Sequence, residues 1–296
     1  MMATSAKITS ASRPALQSAR WIENILLALD EQTPCRTAVP IACRLSELYG
    51  ATLHVTHVGL LALDPREIPA RLGFTAQQRH GAVFNQAKGD RAHAVMQLAQ
   101  ELVEPLVVMS THTGQPGGKD RFGSVTESVL ATRPARIVLL SPDRRQKEWK
   151  LRRILLAHDG TPASHAATAP AADLAQRAGA EVIALHVAAR GRERPREPGS
   201  MPAPLYIDQP QHEWPAWADE FMNRMLAAGA PPSAIEFKLT VTSGRPGSEI
   251  SELARERSVD LVVMAWHGHW EHQTCATRVV IQTSGCPVLL LYSADE

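Results

Sequence analysis

Short apolar runs recur along the chain, and each is followed by a stretch with the spacing of an amphipathic helix. Residues 22–30 read IENILLALD and residues 151–159 read LRRILLAHD, and both runs end on an aspartate. Apolar runs of this length without alternation are typical of parallel strands that are buried on both faces. The pattern therefore predicts that each half of the chain begins with a buried parallel strand.

The two halves match each other element by element, in the same order. In each half a helical pattern stops at a glycine, and further strands and helices alternate up to a closing apolar strand. This alternation predicts two tandem α/β domains, each a doubly wound parallel sheet with helices on both faces. The matched pairs are Gly50 and Gly179, Leu-His-Val at 53–55 and 185–187, Val-Val-Met at 107–109 and 262–264, and the closing runs RIVLL (136–140) and VLLLY (288–292).

Composition marks the expected boundaries. We predict a disordered tail over 1–20, a first domain over 21–142, a charged linker over 143–150 and a second domain over 151–296. The tail lacks the apolar segment of a secretory signal. A stretch rich in Pro and Arg, about 189–215, lies inside the second domain and is predicted to be an insertion.

Charge and cysteine content narrow the range of functions. The net charge of +1 gives no general attraction for nucleic acid or for a membrane surface. No apolar run approaches the roughly 18 residues that span a bilayer. The four cysteines form no C-x-x-C pair, which favours a reducing compartment. We therefore expect a cytoplasmic protein.

A glycine-rich loop follows the Val-Val-Met strand of the first half, within the run Val107–Glu127. Glycines allow the backbone N–H groups to wrap a phosphate, and the N-terminus of the next helix attracts negative charge. Lys119 and Arg121 could pair with phosphate oxygens. The alternative is purely structural, because Ser124 and Glu127 read S-x-x-E, the pattern of a capping box.

These features resemble the universal stress protein family, over nearly all of 21–293 and twice. Its domains end the first strand on an aspartate and carry Leu-His-Val on the second strand. In nucleotide-binding members a Val-Met strand precedes Gly-x-x-Gly, nine residues and Gly-Ser. The resemblance implies an adenine nucleotide alpha-hydrolase-like fold, with adenine near strands one and two. The residues that it assigns to nucleotide binding are Asp30, Val55, Met109, Ser110, Thr113, Gly114, Gly123 and Ser124.

Both halves depart from the family pattern, the second more than the first. In the first half Ser110 and Thr113 replace the two early glycines, with Gly114 close by. In the second half the loop is about four residues shorter, and Trp266 and Trp270 crowd the place of a phosphate. We therefore predict that ATP or another adenine nucleotide binds the first domain, and that the second domain is degenerate.

A group of potential metal ligands lies in the second loop. His267, His269, His272 and Cys275 are of types that bind zinc or copper, but their spacing matches no known metal signature. We expect no metal beyond Mg²⁺ that accompanies a nucleotide.

Three other polar residues have a structural interpretation. His54 and His186 fall in second-strand patterns and are interpreted as buried, hydrogen-bonded histidines. Asp159, like Asp30, follows a strand at the edge where α/β folds bind ligands, and it could equally cap a turn.

The resemblance implies a stress-response protein that acts through contacts rather than turnover. One alternative is an interaction scaffold that binds no nucleotide. Another is a nucleotide-hydrolysing enzyme, although no constellation of base, nucleophile and metal supports it. The resemblance further implies that the two domains pair through their last strands as an internal pseudo-dimer, with a homodimer as a further option. No nucleic acid or membrane partner is expected.

Overall fold

The chain divides into two compact units, which we call the first domain (18–150) and the second domain (151–296 with the start of the chain). Of the predicted tail, only Met2 and Ala3 are described. The computed structural model describes residues 2–3, 22–29, 38–58, 64, 66–72, 74–79, 81–87, 89–111, 122–141, 148–188, 214–229, 235–268 and 275–294.

The first strand of the chain, β1 (Met2–Ala3), belongs to the second domain. The first domain then alternates strands with helices. Its elements are β2 (Asn24–Leu29), α1 (Ala38–Tyr49), β3 (Thr52–Val58), α2 (Ile68–Arg71), α3 (Ala76–Arg79), β4 (Ala82–Ala87), α4 (Arg91–Glu101), β5 (Pro105–Ser110), α5 (Ser124–Ala131) and β6 (Arg136–Leu140).

The second domain repeats this order, with one long helix in place of the two short ones. Its elements are β7 (Arg153–Ala157), a 3₁₀ helix (Ala163–Ala167), α6 (Thr168–Ala178), β8 (Glu181–Ala188), α7 (Trp214–Gly229), β9 (Phe237–Ser243), α8 (Pro246–Glu256), β10 (Leu261–Trp266), α9 (Ala276–Thr283) and β11 (Val288–Tyr292).

Both sheets have their first and fourth strands side by side. The strand order is β4-β3-β2-β5-β6 in the first domain and β9-β8-β7-β10-β11 in the second, and these strands are parallel. β1 adds to β9 in the antiparallel direction. Because the connections move in both directions from the first strand, right-handed crossovers place helices on both faces. The predicted tandem α/β fold is confirmed.

Local sequence signals account for the helix ends. Gly50 and Gly179 follow α1 and α6 with φ of 60° and 64°, a left-handed conformation that glycine adopts without strain. Asp90 caps α4, because its carboxylate accepts a hydrogen bond from the His93 N–H at 2.8 Å. Pro246 begins α8, where a proline costs no hydrogen bond.

Candidate functional site

The carboxyl ends of the central strands form the same edge in each domain. Ala28 of β2 lies opposite Met109 of β5, and Ala157 of β7 lies opposite Met264 of β10. Because the chain leaves the first and fourth strands in opposite directions, a crevice opens between them at this edge, and open α/β sheets bind ligands there. These two edges are the candidate sites.

In the first domain, the described part of this edge comprises the end of β5 and the start of α5. Ser110 ends β5 and is half-buried, whereas Thr111 is buried. The backbone N–H and the hydroxyl of Thr111 both donate to the Leu140 carbonyl, at 2.7 and 3.0 Å. Since α5 connects two parallel strands, its first turn returns to the edge where β5 ends. Gly123 is the N-cap of α5, with φ −60° and ψ 147°.

The capping box predicted for Ser124 and Glu127 is wrong in its register. Ser124 already belongs to the helix and is exposed, so the N-cap is Gly123, which has no side chain to cap the helix. The first helical hydrogen bond runs from the Glu127 N–H to the Gly123 carbonyl, at 3.1 Å. The backbone N–H groups of the first turn have no partner within the helix, and they lie at the sheet edge.

Several residues assigned to nucleotide binding lie outside the described residues. These are Asp30, Thr113 and Gly114, and the basic pair Lys119 and Arg121 falls there as well.

The two hydrophobic residues assigned to nucleotide binding are buried. Val55 is 0% exposed and lies opposite Leu27, in the middle of β3, and Met109 is 4% exposed. Their role as ligand contacts stays a prediction.

The predicted match between the two Leu-His-Val tripeptides is wrong by three residues. Ala28 lies opposite Thr56, whereas the equivalent Ala157 lies opposite Leu185. Thr56-His57-Val58 therefore occupies the place of Leu185-His186-Val187. The residue at the end of the second strand is Val58 and not Val55.

The register change also separates His54 from His186. His54 lies near the start of β3, where its Nε2 is 3.0 Å from the side-chain oxygen of Asn24. His57 is the true counterpart of His186. The Nδ1 of His186 lies 3.2 Å from the His158 carbonyl, and His186 is buried, as predicted. His54 is hydrogen-bonded as predicted, but it is half-buried and not buried.

A cluster of imidazoles that the sequence did not predict lies at the edge of the second domain. His158 follows β7 and is 3% exposed. Its Nδ1 accepts a hydrogen bond from the Gly160 N–H at 3.1 Å, which assigns its proton to Nε2. This Nε2 lies 3.1 Å from Nδ1 of His165, so the hydrogen bond runs from His158 to His165. The network fixes both rings in the neutral form.

The turn beside this cluster is closed by hydroxyl and carboxylate groups. The carboxylate of Asp159 accepts from the N–H and the hydroxyl of Thr161, at 3.0 and 2.7 Å, which is the predicted turn cap. The hydroxyl of Ser164 donates to the Thr161 carbonyl at 2.8 Å. The Ser164 oxygen also lies 3.2 Å from both ring nitrogens of His158, so this serine belongs to the same polar network.

Helix α7 contributes two aromatic rings to the imidazole cluster. Trp217 and Phe221 stack with centroids 5.1 Å apart. The ring of Phe221 lies 5.5 Å from that of His158 and 5.0 Å from that of His186. The Trp217 ring lies 5.4 Å from His186. The ends of the first and second strands of this domain are thus covered by aromatic side chains of the same chain.

Burial determines the protonation of the cluster. It lowers the pKa of His158 to about 3, and the neighbouring His165 acts in the same direction. Burial also lowers the pKa values of His165 and His186. Burial would raise the pKa of Asp159, but hydrogen bonds from Thr161 prevail and lower it. At neutral pH the cluster holds three neutral imidazoles and one carboxylate.

The fourth strand also differs between the domains. The register of β5 and β10 makes Thr111 equivalent to Trp266. Trp266 is 2% exposed, and its ring meets that of Tyr292 edge to face at 6.0 Å. The predicted crowding by Trp266 therefore takes the form of a buried indole at the end of β10. Trp270 lies outside the described residues.

No group of three or more His, Cys, Asp or Glu side chains could hold a metal ion within the described parts of the chain. Of the four potential ligands in the second loop, His267 and Cys275 are described, whereas His269 and His272 are not.

The sequence contained one signal for the unpredicted cluster. Once the repeats are aligned on their strands, Leu29 of the first domain is replaced by His158 in the second. A polar residue at the end of a buried strand indicates either a site or a polar network. The contribution of α7 could not be found in this way, because the described residues between the second and third strands of the first domain form no helix of that length.

Comparisons with known proteins agree on the fold. A candidate universal stress protein from Pseudomonas aeruginosa aligns over 93% of this chain and 95% of its own, with a TM-score of 0.63 and 17% identity. A functionally unknown protein from the same species aligns over 94% of this chain and 95% of its own, with a TM-score of 0.63 and 16% identity. A universal stress protein from Archaeoglobus fulgidus aligns over 93% of this chain and 98% of its own, with a TM-score of 0.61 and 16% identity. No curated protein matched the chain.

None of the helices in the described residues is long and apolar enough to cross a membrane. The model of the Universal stress protein family matches residues 150–291, which coincide with the second domain. The first domain repeats the strand order of this matched half. The second domain is therefore a universal stress protein domain, and the whole chain has the tandem α/β fold of the solved structures above.

Proposed function

We propose that the first domain binds one adenine nucleotide, such as ATP, and that the second domain binds none. The observation that carries this proposal is the start of α5. Its N-cap is a glycine, which has no side chain of its own to cap the first-turn N–H groups, and the helix begins at the sheet edge. A helix N-terminus of this kind favours a phosphate. The phosphate would lie against Gly123 and Ser124.

The base would lie near the ends of the first two strands, next to Asp30. Val55 stays the assigned contact on β3, although the corrected register places it three residues before the end of that strand. Met109, Ser110, Thr113 and Gly114 would line the side of β5. Mg²⁺ would enter only with the nucleotide phosphates.

The second domain supports the asymmetric part of the proposal. The place that corresponds to the base is covered by Phe221 and Trp217, packed on His158 and His186. Replacing these contacts by a ligand would require the aromatic side chains to leave a buried position. We infer that this domain acts as a structural or regulatory partner in a cytoplasmic stress response.

Calorimetric titration of the full chain with ATP tests the proposal, together with mass spectrometry of small molecules released on denaturation. We expect one site per chain. Two equivalent sites would contradict the asymmetry. If ATP, ADP and AMP all fail to bind at millimolar concentration, the proposal is wrong and the chain acts as an interaction scaffold that binds no nucleotide. Release of ADP from ATP would instead indicate an enzyme.

Pairing of the two domains through β6 and β11 stays a prediction. Both strands are apolar, and a paired edge avoids exposure of their backbone groups. If the pairing exists, separately produced first and second domains should associate when mixed. Size-exclusion chromatography that shows two independent monomers would contradict it.

A further inference from the structure

The contact between α7 and the sheet edge depends on histidines in one protonation state. The aromatic rings of α7 pack directly on His158 and His186. His158 is itself fixed as a neutral ring, because the Gly160 N–H donates to its Nδ1 and its Nε2 faces Nδ1 of His165. A second proton on the imidazole of His158 or of His165 would place two N–H donors against each other.

We propose that α7 is a pH-sensitive latch on the second domain, closed over the ends of β7 and β8 while these histidines are neutral and released when they take up protons. Release would separate Trp217 and Phe221 from the sheet edge and uncover the crevice there. The remainder of the second domain would stay folded.

Among the described residues, the titratable groups that face the cluster come from three parts of the second domain. The turn after β7 contributes His158 and Asp159, the 3₁₀ helix contributes His165, and β8 contributes His186. The faces of α7 and β10 toward it are uncharged. On α7 the charged residues Asp219, Glu220 and Arg224 are exposed. On α6 the buried Asp173 is paired with Arg177, Nε to carboxylate at 2.9 Å.

Among the described residues, one carboxylate faces three imidazoles, so two protonated imidazoles would leave positive charge uncompensated. The ionised Asp159 favours protonation, but it already accepts two hydrogen bonds from Thr161. His165 is half-buried, so it is more accessible to solvent than the buried His158 and His186.

The sign of the pH dependence follows from the burial of the rings. The pKa values of His158, His165 and His186 all lie below 6.5 in the closed state. Closure is therefore fully favoured above about pH 6.5 and is lost as the pH falls toward the closed-state values, which for His158 is about 3. In this window, each fall of one pH unit lowers the equilibrium constant for closure of α7 by up to about tenfold for every histidine that gains a proton. The ionised Asp159 also stabilises the closed state, and this stabilisation is lost only below the ordinary pKa of its carboxyl group, 3.8.

Hydrogen–deuterium exchange of the full chain, at pH 7.5 and pH 5.5, tests the proposal. After correction for the intrinsic pH dependence of exchange, peptides from α7 should lose protection by roughly tenfold or more. Peptides from β10 and from α4 of the first domain should keep theirs. If α7 keeps the same protection as α4 at both pH values, the latch is refuted. Equal loss in α7 and β10 would mean unfolding of the whole domain and would also refute it.

His158→Leu provides the matched variant, because the first domain carries Leu29 at the equivalent position. Its α7 protection should no longer change between the two pH values, or should change at least about tenfold less. His93→Gln, an exposed histidine on α4, is the control and should behave like the parent. If His158→Leu fails to fold, the combined variant His165→Gln/His186→Gln takes its place. Full pH sensitivity in a folded variant of either kind would overturn the proposal.

Discussion

The two domains share a strand order but treat the same edge differently. In the first domain Leu29 and Thr111 lie at the ends of the first and fourth strands. In the second domain the equivalent positions hold His158 and Trp266, and the edge is covered by α7. The difference follows from the connection between the second and third strands, which contains two four-residue helices in one domain and a sixteen-residue helix in the other.

The comparison shows how a repeated fold can leave one sheet edge uncovered by a helix of this length in its described residues and cover the other. The strands have to be conserved in pattern, since every residue of a buried parallel strand contributes to the core. A connection at the sheet edge is free to lengthen, and a longer connection can pack its own side chains into the crevice. Four predictions test this comparison.

The largest effect is expected for Phe221→Ala. Phe221 is 1% exposed and contacts His158, His186 and Trp217, so its removal leaves a cavity. We expect a loss of about 3–5 kcal/mol in the stability of the second domain. Urea unfolding of the full chain, followed by domain-resolved hydrogen exchange, measures it.

The matched control lies in the first domain. Phe84 meets Phe74 edge to face at 5.2 Å, but it is half-buried on the edge strand β4. Phe84→Ala should therefore cost less. If the two variants are equally stable, the aromatic cover of the second domain contributes nothing beyond ordinary packing.

Gly123→Val should weaken nucleotide binding at least about a hundredfold, which corresponds to about 2.8 kcal/mol. A branched side chain at the N-cap would block the close approach of a phosphate to the first turn of α5. The φ of −60° is accessible to valine, so the backbone should not be strained.

Ser124→Ala separates binding from folding. Because the Ser124 side chain does not cap α5, this variant should keep the stability of the parent and bind nucleotide with a modest loss. Calorimetry with ATP measures nucleotide binding by both variants, and circular dichroism checks that both are folded. Undiminished binding by a folded Gly123→Val protein would remove α5 from the site.

Gly50→Ala and Gly179→Ala should have the same, smaller effect. Both glycines have positive φ, and a Cβ at either position would meet no atom within 4 Å. The cost is therefore backbone strain alone, about 1 kcal/mol in each domain. Unequal losses of stability in the two domains, measured by domain-resolved hydrogen exchange, would show that the two helix ends are not equivalent.

The smallest effect distinguishes α4 from α8, the helices that precede the fourth strand of each sheet. Asp90 caps α4 through its side chain, whereas Arg245, in the same place before α8, makes no such hydrogen bond. Asp90→Ala should cost about 1 kcal/mol and Arg245→Ala close to nothing. Equal thermal denaturation midpoints for both variants would contradict the assignment of the cap.

The sequence by itself determined the strands, the repeat and most helix ends. Apolar runs such as residues 25–29 and 261–264 are typical of a buried parallel sheet, and Gly50 and Gly179 act through their own backbone. These are local properties, so they can be derived without a structure.

The tertiary structure alone decided the strand register, the start of α5 and the imidazole cluster. The run TLHVTHV offers two His-Val pairs, and only the hydrogen bonding between β2 and β3 selects His57-Val58 as the counterpart of His186-Val187. A capping box needs its serine one residue outside the helix, and α5 begins one residue too early for that. The contact of Phe221 with His158 joins residues far apart in sequence, so only the packing of α7 on the sheet brings them together.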